Sequence, residues 1–394
     1  MAMSPKQSLW DATGQAGGLK SGNKKIVFVA MSGGVDSSVA ALLLKKQGYD
    51  VVGVFMKFWA GTKSISAANE NRCCSQDARR DAMTVCAKLK IPFLTWDFQK
   101  EFKYAVVDDF ISGYKKGITP NPCVICNKEI KFGLFIKKAL KMGADYVATG
   151  HYVKLKNSNN KINSQSFNLS IFQSRDLNKD QSYFLWTLTQ KQLKHCLFPV
   201  GNYLKSEVRQ IAKKAGLPVA LKKESQEVCF IKDANLRRFL RKWIQPKKGA
   251  IIELKTRKKL AEHNGVQFYT IGQRVPIGGT GPYYVADKNL KKNQLIVIQK
   301  NDKNSFCKEI RLKDVNWISG LRFAEGFGKA SKSLKSAKIL VRTRYRQPLV
   351  SAKIIFRASR FGLRFDRPVK FVAPGQSAVF YNKDGEMLGG GVII

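Results

Sequence analysis

The chain has 394 residues, 44 % of them hydrophobic, which supports a sizeable buried core, excludes wholesale disorder and makes a disulfide framework unnecessary. Its 70 Lys and Arg against 28 Asp and Glu give a formal charge of +42, which points first to nucleic acid as a partner and second to a membrane surface, with a general lysine bias as the plain alternative. No run of 18 apolar residues is present, so no membrane-spanning helix is expected, and eight irregularly spaced cysteines suit a reducing, cytoplasmic setting better than a secreted scaffold.

Residues 1–23 hold no long apolar block and read as a loose tail. The run 25–31 (KIVFVAM) is short and β-branched, as a buried parallel strand is. A turn, 32–38 (SGGVDSS), precedes a helix over 39–47 that Gly48 stops, and 50–59 (DVVGVFMKFW) gives the second strand. Helices at 76–89, 101–113 and 131–142 then alternate with strands at 93–98 and 145–153, while two prolines make 118–127 (ITPNPCVICN) a loop. This alternation predicts an α/β fold with a doubly wound parallel sheet. The polar stretch 157–174 ends in a hairpin, and a helix spans 206–215. From 287 onward short alternating segments at 294–299, 339–345, 350–356 and 377–381 predict a small β-barrel.

The strand–SGGVDSS–helix junction carries the most chemistry. Gly33 and Gly34 let the backbone approach an anion, and the helix that follows offers free N–H groups. Ser32, Ser37 and Ser38 add hydroxyls, so a phosphate or pyrophosphate is the expected ligand. Asp36 is unfavourable beside bare phosphates but fits if it holds Mg²⁺. No lysine closes the loop, so it is not the G-x-x-x-x-G-K-[ST] type. The plain alternative is a Gly-Gly turn with ordinary capping residues.

Cys123 and Cys126 follow the Pro120–Pro122 turn, and Cys229 lies in ESQEVCFI. With AMSGGVDSS, the Met56-Lys-Phe-Trp strand end, TPNPCVICNKEIKF, ATGHYV, NKDQSYFLWTL, TIGQR, TRYRQ and PGQSAVFY, the chain resembles the tRNA-specific 2-thiouridylase family from about Lys25 to its end. Members of that family put sulfur on the wobble uridine of tRNA. The resemblance implies an adenine nucleotide alpha hydrolase-like catalytic domain at 24–220, a central tRNA-binding domain at 221–285 and a C-terminal β-barrel at 286–394.

It also implies site residues. Ala30, Met31, Ser32, Gly33, Gly34, Val35, Asp36 and Ser37 bind the phosphates of ATP, and Met56 and Gly150 contact its nucleoside. Cys126 is the nucleophile and Cys229 carries a persulfide. Asn121, Pro122 and Cys123, with Lys179, Asp180 and Gln181, meet the target base region. His151, Arg344, Tyr345 and Gln376 are further tRNA contacts. Partners implied are the tRNA anticodon loop and a sulfur donor, a cysteine desulfurase or a relay protein.

Many relatives carry Asp where this chain has Cys123. Three thiolates, Cys123, Cys126 and Cys229, can hold an iron–sulfur cluster with one open position. Alternatively Cys126 and Cys229 pass through a disulfide after sulfur transfer. Two rival readings are a small-molecule enzyme with the same loop and a zinc-stabilised RNA-binding protein. Cys73 and Cys74 receive no role, and Cys86, Cys196 and Cys307 read as packing residues. His195 and His263 lack companions, so no histidine metal site is expected.

The stretch 329–370 is strongly basic, with Asp366 its only acid. Arg342, Arg344 and Arg346 alternate as if on one strand face, with Tyr345 opposite. Lys222, Lys223 and an amphipathic helix bearing Arg237, Arg238, Arg241 and Lys242 extend the basic surface.

Overall fold

A computed structural model of the chain describes residues 24–59, 61, 75–157, 169–223, 228–231, 235–278, 281–318, 338–357 and 360–394. The tail 1–23, Cys73 and Cys74, residues 224–227 of ESQEVCFI, and 329–337 and 358–359 of the basic stretch lie outside the described residues.

Strand β1 (Ile26–Met31) is buried along its whole length. Ile26, Phe28 and Ala30 enter one core, and Val27, Val29 and Met31 enter the core on the other face. Burial on both faces is what a parallel sheet under two helical layers requires. Next come β2 (Asp50–Lys57), β3 (Phe93–Asp97) and β4 (Tyr146–Ala148). A hairpin, β5 (Val153–Asn157) and β6 (Leu169–Gln173), leaves this sheet before β7 (Cys196–Leu197) rejoins it. The strand order β3-β2-β1-β4-β7, with parallel pairing throughout, is the expected doubly wound sheet. Its order reverses between β1 and β4, and ligands bind outside the strand ends at such a point.

The helices Val35–Lys46, Gln76–Lys88 and Lys205–Lys214 cover one face through Val39, Leu42, Val85 and Val208. The helical runs 99–115 and 122–141 cover the other through Phe102, Phe110, Ile130 and Phe135. Trp96 joins that layer, its ring 5.8 Å from Phe28 and 5.4 Å from Phe135. Each fully buried phenylalanine here contributes roughly 1.5–3 kcal/mol from removal of apolar surface alone.

Three local expectations change. The first helix starts at Val35 rather than 39, because Ser37 and Ser38 turn their hydroxyls onto Gly34 O (3.2 and 2.8 Å) and settle inside its first turn. The stretch expected as a loop over 118–127 is helical from Pro122, whose fixed φ and missing N–H suit a first helical position. From there the helix runs to Lys141, with π-type bonding over Cys126–Leu134. The strand expected over 145–153 breaks after Ala148, where Val153 N donates to His151 O in a tight turn.

Strands β8 (Lys248–Glu253), β9 (Lys259–Asn264), β10 (Arg274–Val275), β11 (Tyr283–Asn289) and β12 (Gln294–Gln299) form a second sheet, ordered β10-β11-β12-β8-β9. Gln294–Gln299 therefore belongs to the middle unit, beyond the division expected at 285/286. Its parallel partner is Ala250–Glu253, a long-range pairing that local alternation does not encode. The barrel follows as β13 (Phe306–Trp317), β14 (Lys338–Arg342), β15 (Val350–Arg357), β16 (Arg360–Lys370), β17 (Ser377–Tyr381) and β18 (Glu386–Ile393). Pairing of β13 with β18 closes it, and β6 adds to β18 through Ile171 and Met387.

The barrel and the α/β unit are joined by polar contacts in a buried setting. The Asp180 side chain is wholly buried and meets Arg342 Nη1 at 3.2 Å. Asp180 also accepts from Gln173 Nε2, Ser174 N, Ser182 N and Ser182 Oγ. Tyr183 donates to Ser377 O and Trp186 Nε1 to Ser377 Oγ, both at 3.0 Å. Arg342→Leu leaves the Asp180 carboxylate buried without its cation, so chemical denaturation should show a loss of about 3 kcal/mol or more; a loss under about 1 kcal/mol contradicts this account.

Candidate active site

The C-terminal ends of β1 and β4 converge on a cavity of about 310 Å³. Gly33 has φ +69°, and a Cβ there would lie 2.2 Å from Ala78 O, so only glycine fits. Ser32 N donates to Ser37 Oγ at 3.2 Å, which folds the loop back onto the first helical turn. A Cβ on Gly150 would lie 2.7 Å from Ser37 N and 2.8 Å from Asp36 C. The turn after β4 thus lies directly on the N-terminal turn of the first helix.

Ala30, Met31, Ser32, Asp36, Ser37, Met56 and Gly150 line the cavity. It is also lined by Pro122, Cys123, Cys126, Asn127 and Lys131 from one helix, with Gln181, Phe184 and Cys229. Cys126 is buried, Cys229 half-buried and Cys123 exposed. The π-type stretch starts at Cys126 and aims residues spaced unlike those of an α-helix at one wall. Asn127 donates through Nδ2 to Phe184 O at 3.1 Å.

Asp36 has its charge met by protein. Lys205 Nζ donates to both its oxygens (2.6 and 2.8 Å), and Tyr152 OH donates to Oδ1 at 2.7 Å. A carboxylate so engaged does not fit the Mg²⁺ ligand expected of it. Among the described residues no group of three or more His, Cys, Asp or Glu side chains is placed to hold a metal ion. Cys123, Cys126 and Cys229 therefore do not fit the expected cluster, nor Cys123 and Cys126 a zinc site.

Residues 25–233 match the family described as tRNA methyl transferase HUP domain, 237–299 the tRNA methyl transferase PRC-barrel domain, and 307–393 the aminomethyltransferase beta-barrel domain. Over 381 residues the chain is 42 % identical to the tRNA-specific 2-thiouridylase MnmA of Buchnera aphidicola, covering 94 % of this chain and 97 % of that one. This chain belongs to the tRNA-specific 2-thiouridylase family. The thiouridylase of Geobacillus thermodenitrificans is also 42 % identical, with 93 % and 94 % covered, and that of Streptococcus uberis is 40 % identical, with 95 % and 96 % covered.

The residues that the thiouridylase resemblance singled out fall into distinct groups. Val35 is buried in the core, so only its backbone is available to a ligand. Asn121, Pro122, Cys123, Tyr345 and Gln376 line a second chamber of about 370 Å³, which shares Pro122, Cys123, Phe184 and Val228 with the first. Tyr345 packs on Phe184 with ring centres 4.4 Å apart, and Gln376 Nε2 donates to Thr119 O at 2.9 Å. Lys179 is half-buried, whereas the Asp180 side chain is wholly buried and held by Arg342 of the barrel.

The three arginines do not share a face. The strand ends at Arg342, and Arg346 has φ +65° in the turn that follows. Arg342 is held by Asp180, Arg344 donates to Ile271 O at 3.1 Å, and Arg346 is exposed, 5.3 Å from the Tyr345 ring. Arg237, Arg238, Arg241 and Lys242 do form an exposed basic face on the helix Leu236–Arg241 and its end. Cys86 and Cys196 are packing residues, and burial pushes the Cys86 thiol up to about 12.

Sequence reasoning missed Lys205, Tyr152 and Lys131. Tyr152 lies inside ATGHYV and Lys131 inside TPNPCVICNKEIKF, but Lys205 has no local mark among so many other lysines.

His151 is buried in the cavity wall, with Nδ1 2.8 Å from Thr149 Oγ1. Burial, aided by the charge of Lys131, holds its imidazole well below the usual range, so it is neutral and a poor phosphate contact. Below pH 6.5 the unfolded chain takes a proton that the folded chain refuses. Stability should therefore fall with decreasing pH there by up to about 1.4 kcal/mol per unit, and His151→Gln should remove that part of the slope in denaturation series. An unchanged slope would show His151 to be charged in the fold.

Proposed function

We infer that this thiouridylase activates the 2-carbonyl of a tRNA wobble uridine with ATP and replaces its oxygen by sulfur. One observation carries the reading: a single cavity is lined by Ser32, Asp36 and Ser37 of the phosphate loop and by both Cys126 and Cys229. Methyl transfer, named in two of the matched family descriptions, needs no phosphate cradle and gives the two cysteines no task. The cavity favours thiolation.

The uridine O2 attacks the α-phosphorus of ATP, the bond to the β-phosphate breaks, and pyrophosphate leaves along the Ser32–Ser37 loop. Loss of the N3 proton balances the new O–P bond. The terminal sulfur of a Cys229 persulfide then bonds to C2, and the C2–O bond breaks to release AMP. Cys126 thiolate attacks Cys229 sulfur, freeing 2-thiouridine and leaving a Cys126–Cys229 disulfide. Attack of Cys126 on the persulfide first, with free sulfide as the nucleophile, ends in the same products. A thiol reductant resets the pair, and a donor protein's persulfide reloads Cys229.

Apolar Phe58, Phe102, Val106 and Phe230 on the wall keep water from competing at C2. The second chamber, walled by Pro122, Phe184 and Tyr345, suits the path of a base extruded from a single-stranded loop. Exposed Arg237, Arg238 and Arg241 suit its phosphates. Among the described residues no helix is long and apolar enough to cross a membrane, and the thiol chemistry suits the reducing cytoplasm.

One turnover without reductant should yield AMP only when tRNA is present and leave a Cys126–Cys229 disulfide in the peptide mass map. AMP formation from ATP and a small amine without tRNA would instead support a small-molecule enzyme. Cys126→Ala and Cys229→Ala should each abolish 2-thiouridine in nucleoside digests.

A further inference from the structure

The reaction inferred above places a triphosphate against a nucleobase, and the charge on the α-phosphate must be met where they join. The phosphate loop carries no cation of its own. Lys205 is engaged by Asp36, and Lys222 by Asp81 (2.5 Å) and the Gly33 carbonyl (3.0 Å). Among the described residues lining the cavity, Lys131 is the only lysine or arginine. It is half-buried and makes no hydrogen bond or ion pair with any described residue.

Its position follows from the helix that bears the cysteines. In an α-helix, residues five apart point well away from one another. The i→i+5 bonding over Cys126–Leu134 brings Cys126 and Lys131 to the same wall. The charge of Lys131 is felt at His151. His151 follows Gly150, which lies on Asp36 and Ser37. Lys131 thus shares a cavity with Cys126 and with Ser32 and Ser37 of the phosphate loop, and its charge acts on the turn that rests on that loop, where an α-phosphate flanked by pyrophosphate and C2 would be within its reach.

We propose that Lys131 is a catalytic residue whose ammonium binds the α-phosphoryl oxygens, first of ATP and then of the adenylated uridine. It remains protonated throughout. Its charge opposes the negative charge that builds as pyrophosphate leaves and again as AMP leaves. This assignment rests on the thiouridylase reading.

The test is single-turnover pyrophosphate release by the full-length protein with unmodified tRNA. Lys131→Gln should slow that step about 100-fold with little change in the KM for tRNA, and Lys131→Arg should recover most of the loss. ATP carrying sulfur at a non-bridging α-oxygen should react more slowly than ATP with the wild type, and Lys131→Gln should abolish that difference. A rate for Lys131→Gln within about threefold of wild type overturns the proposal, as does equal damage in Lys131→Arg or a sulfur effect that persists in Lys131→Gln. Wild-type protein that releases no pyrophosphate with tRNA overturns the thiouridylase reading itself, which is a separate result.

Discussion

The close approach of the β4 end to the first helix is the constraint on which the site depends. Gly150 lies so near Asp36 and Ser37 that no side chain fits between them. That contact fixes the phosphate loop to the turn bearing Thr149, His151 and Tyr152. Tyr152 in turn hydrogen-bonds Asp36, and its backbone exchanges bonds with Gln181. Through Gln181 and Asp180 the same chain of contacts reaches Arg342 in the barrel. The phosphate loop and the barrel are therefore placed relative to each other by rigid elements, with little left to loop motion.

Charge is distributed unevenly with respect to this frame. The chain as a whole is +42, yet the cavity is lined by one acid, one lysine and a neutral histidine among the described residues. The excess lies outside, on faces such as that of Arg237, Arg238 and Arg241. An exterior of this kind attracts a polyanion over long distance, whereas the interior acts on one phosphate at close range and low dielectric. The engagement of Asp36 by Lys205 fits the same division, since an uncompensated carboxylate at the loop would repel the nucleotide.

What the sequence made legible was local. The strand–turn–helix order around Gly33 and Gly34 specifies an anion cradle by backbone geometry alone, and the α/β alternation specifies the parallel sheet. Cys126 and Cys229 were legible as a pair through the family's motifs. Lys205 was not, because a lysine acquires a role only from what the fold brings against it, and Lys131, though inside a family motif, owes its place on the cavity wall to the fold. Two prolines beside Cys123 suggested a loop, but Pro122 begins a helix, and that single difference puts both nearby cysteines on one rigid element. Alternation of Arg342, Arg344 and Arg346 imitated a strand face, but the left-handed conformation of Arg346 disperses them. Membership of Gln294–Gln299 in the middle sheet depended on a partner more than forty residues away.

The hairpin of the α/β unit that adds to the barrel edge has a consequence for biogenesis. Ile171 pairs with Met387, so an edge laid down early in synthesis stays open until residues more than 200 positions further along have been made. The N-terminal portion emerges first and can collapse around its own sheet. Asp180 stays without its cation until Arg342 of β14 arrives, and the second chamber stays open until Tyr345 and Gln376 follow. A nascent polypeptide would thus display an unsatisfied strand margin, open to errant pairing.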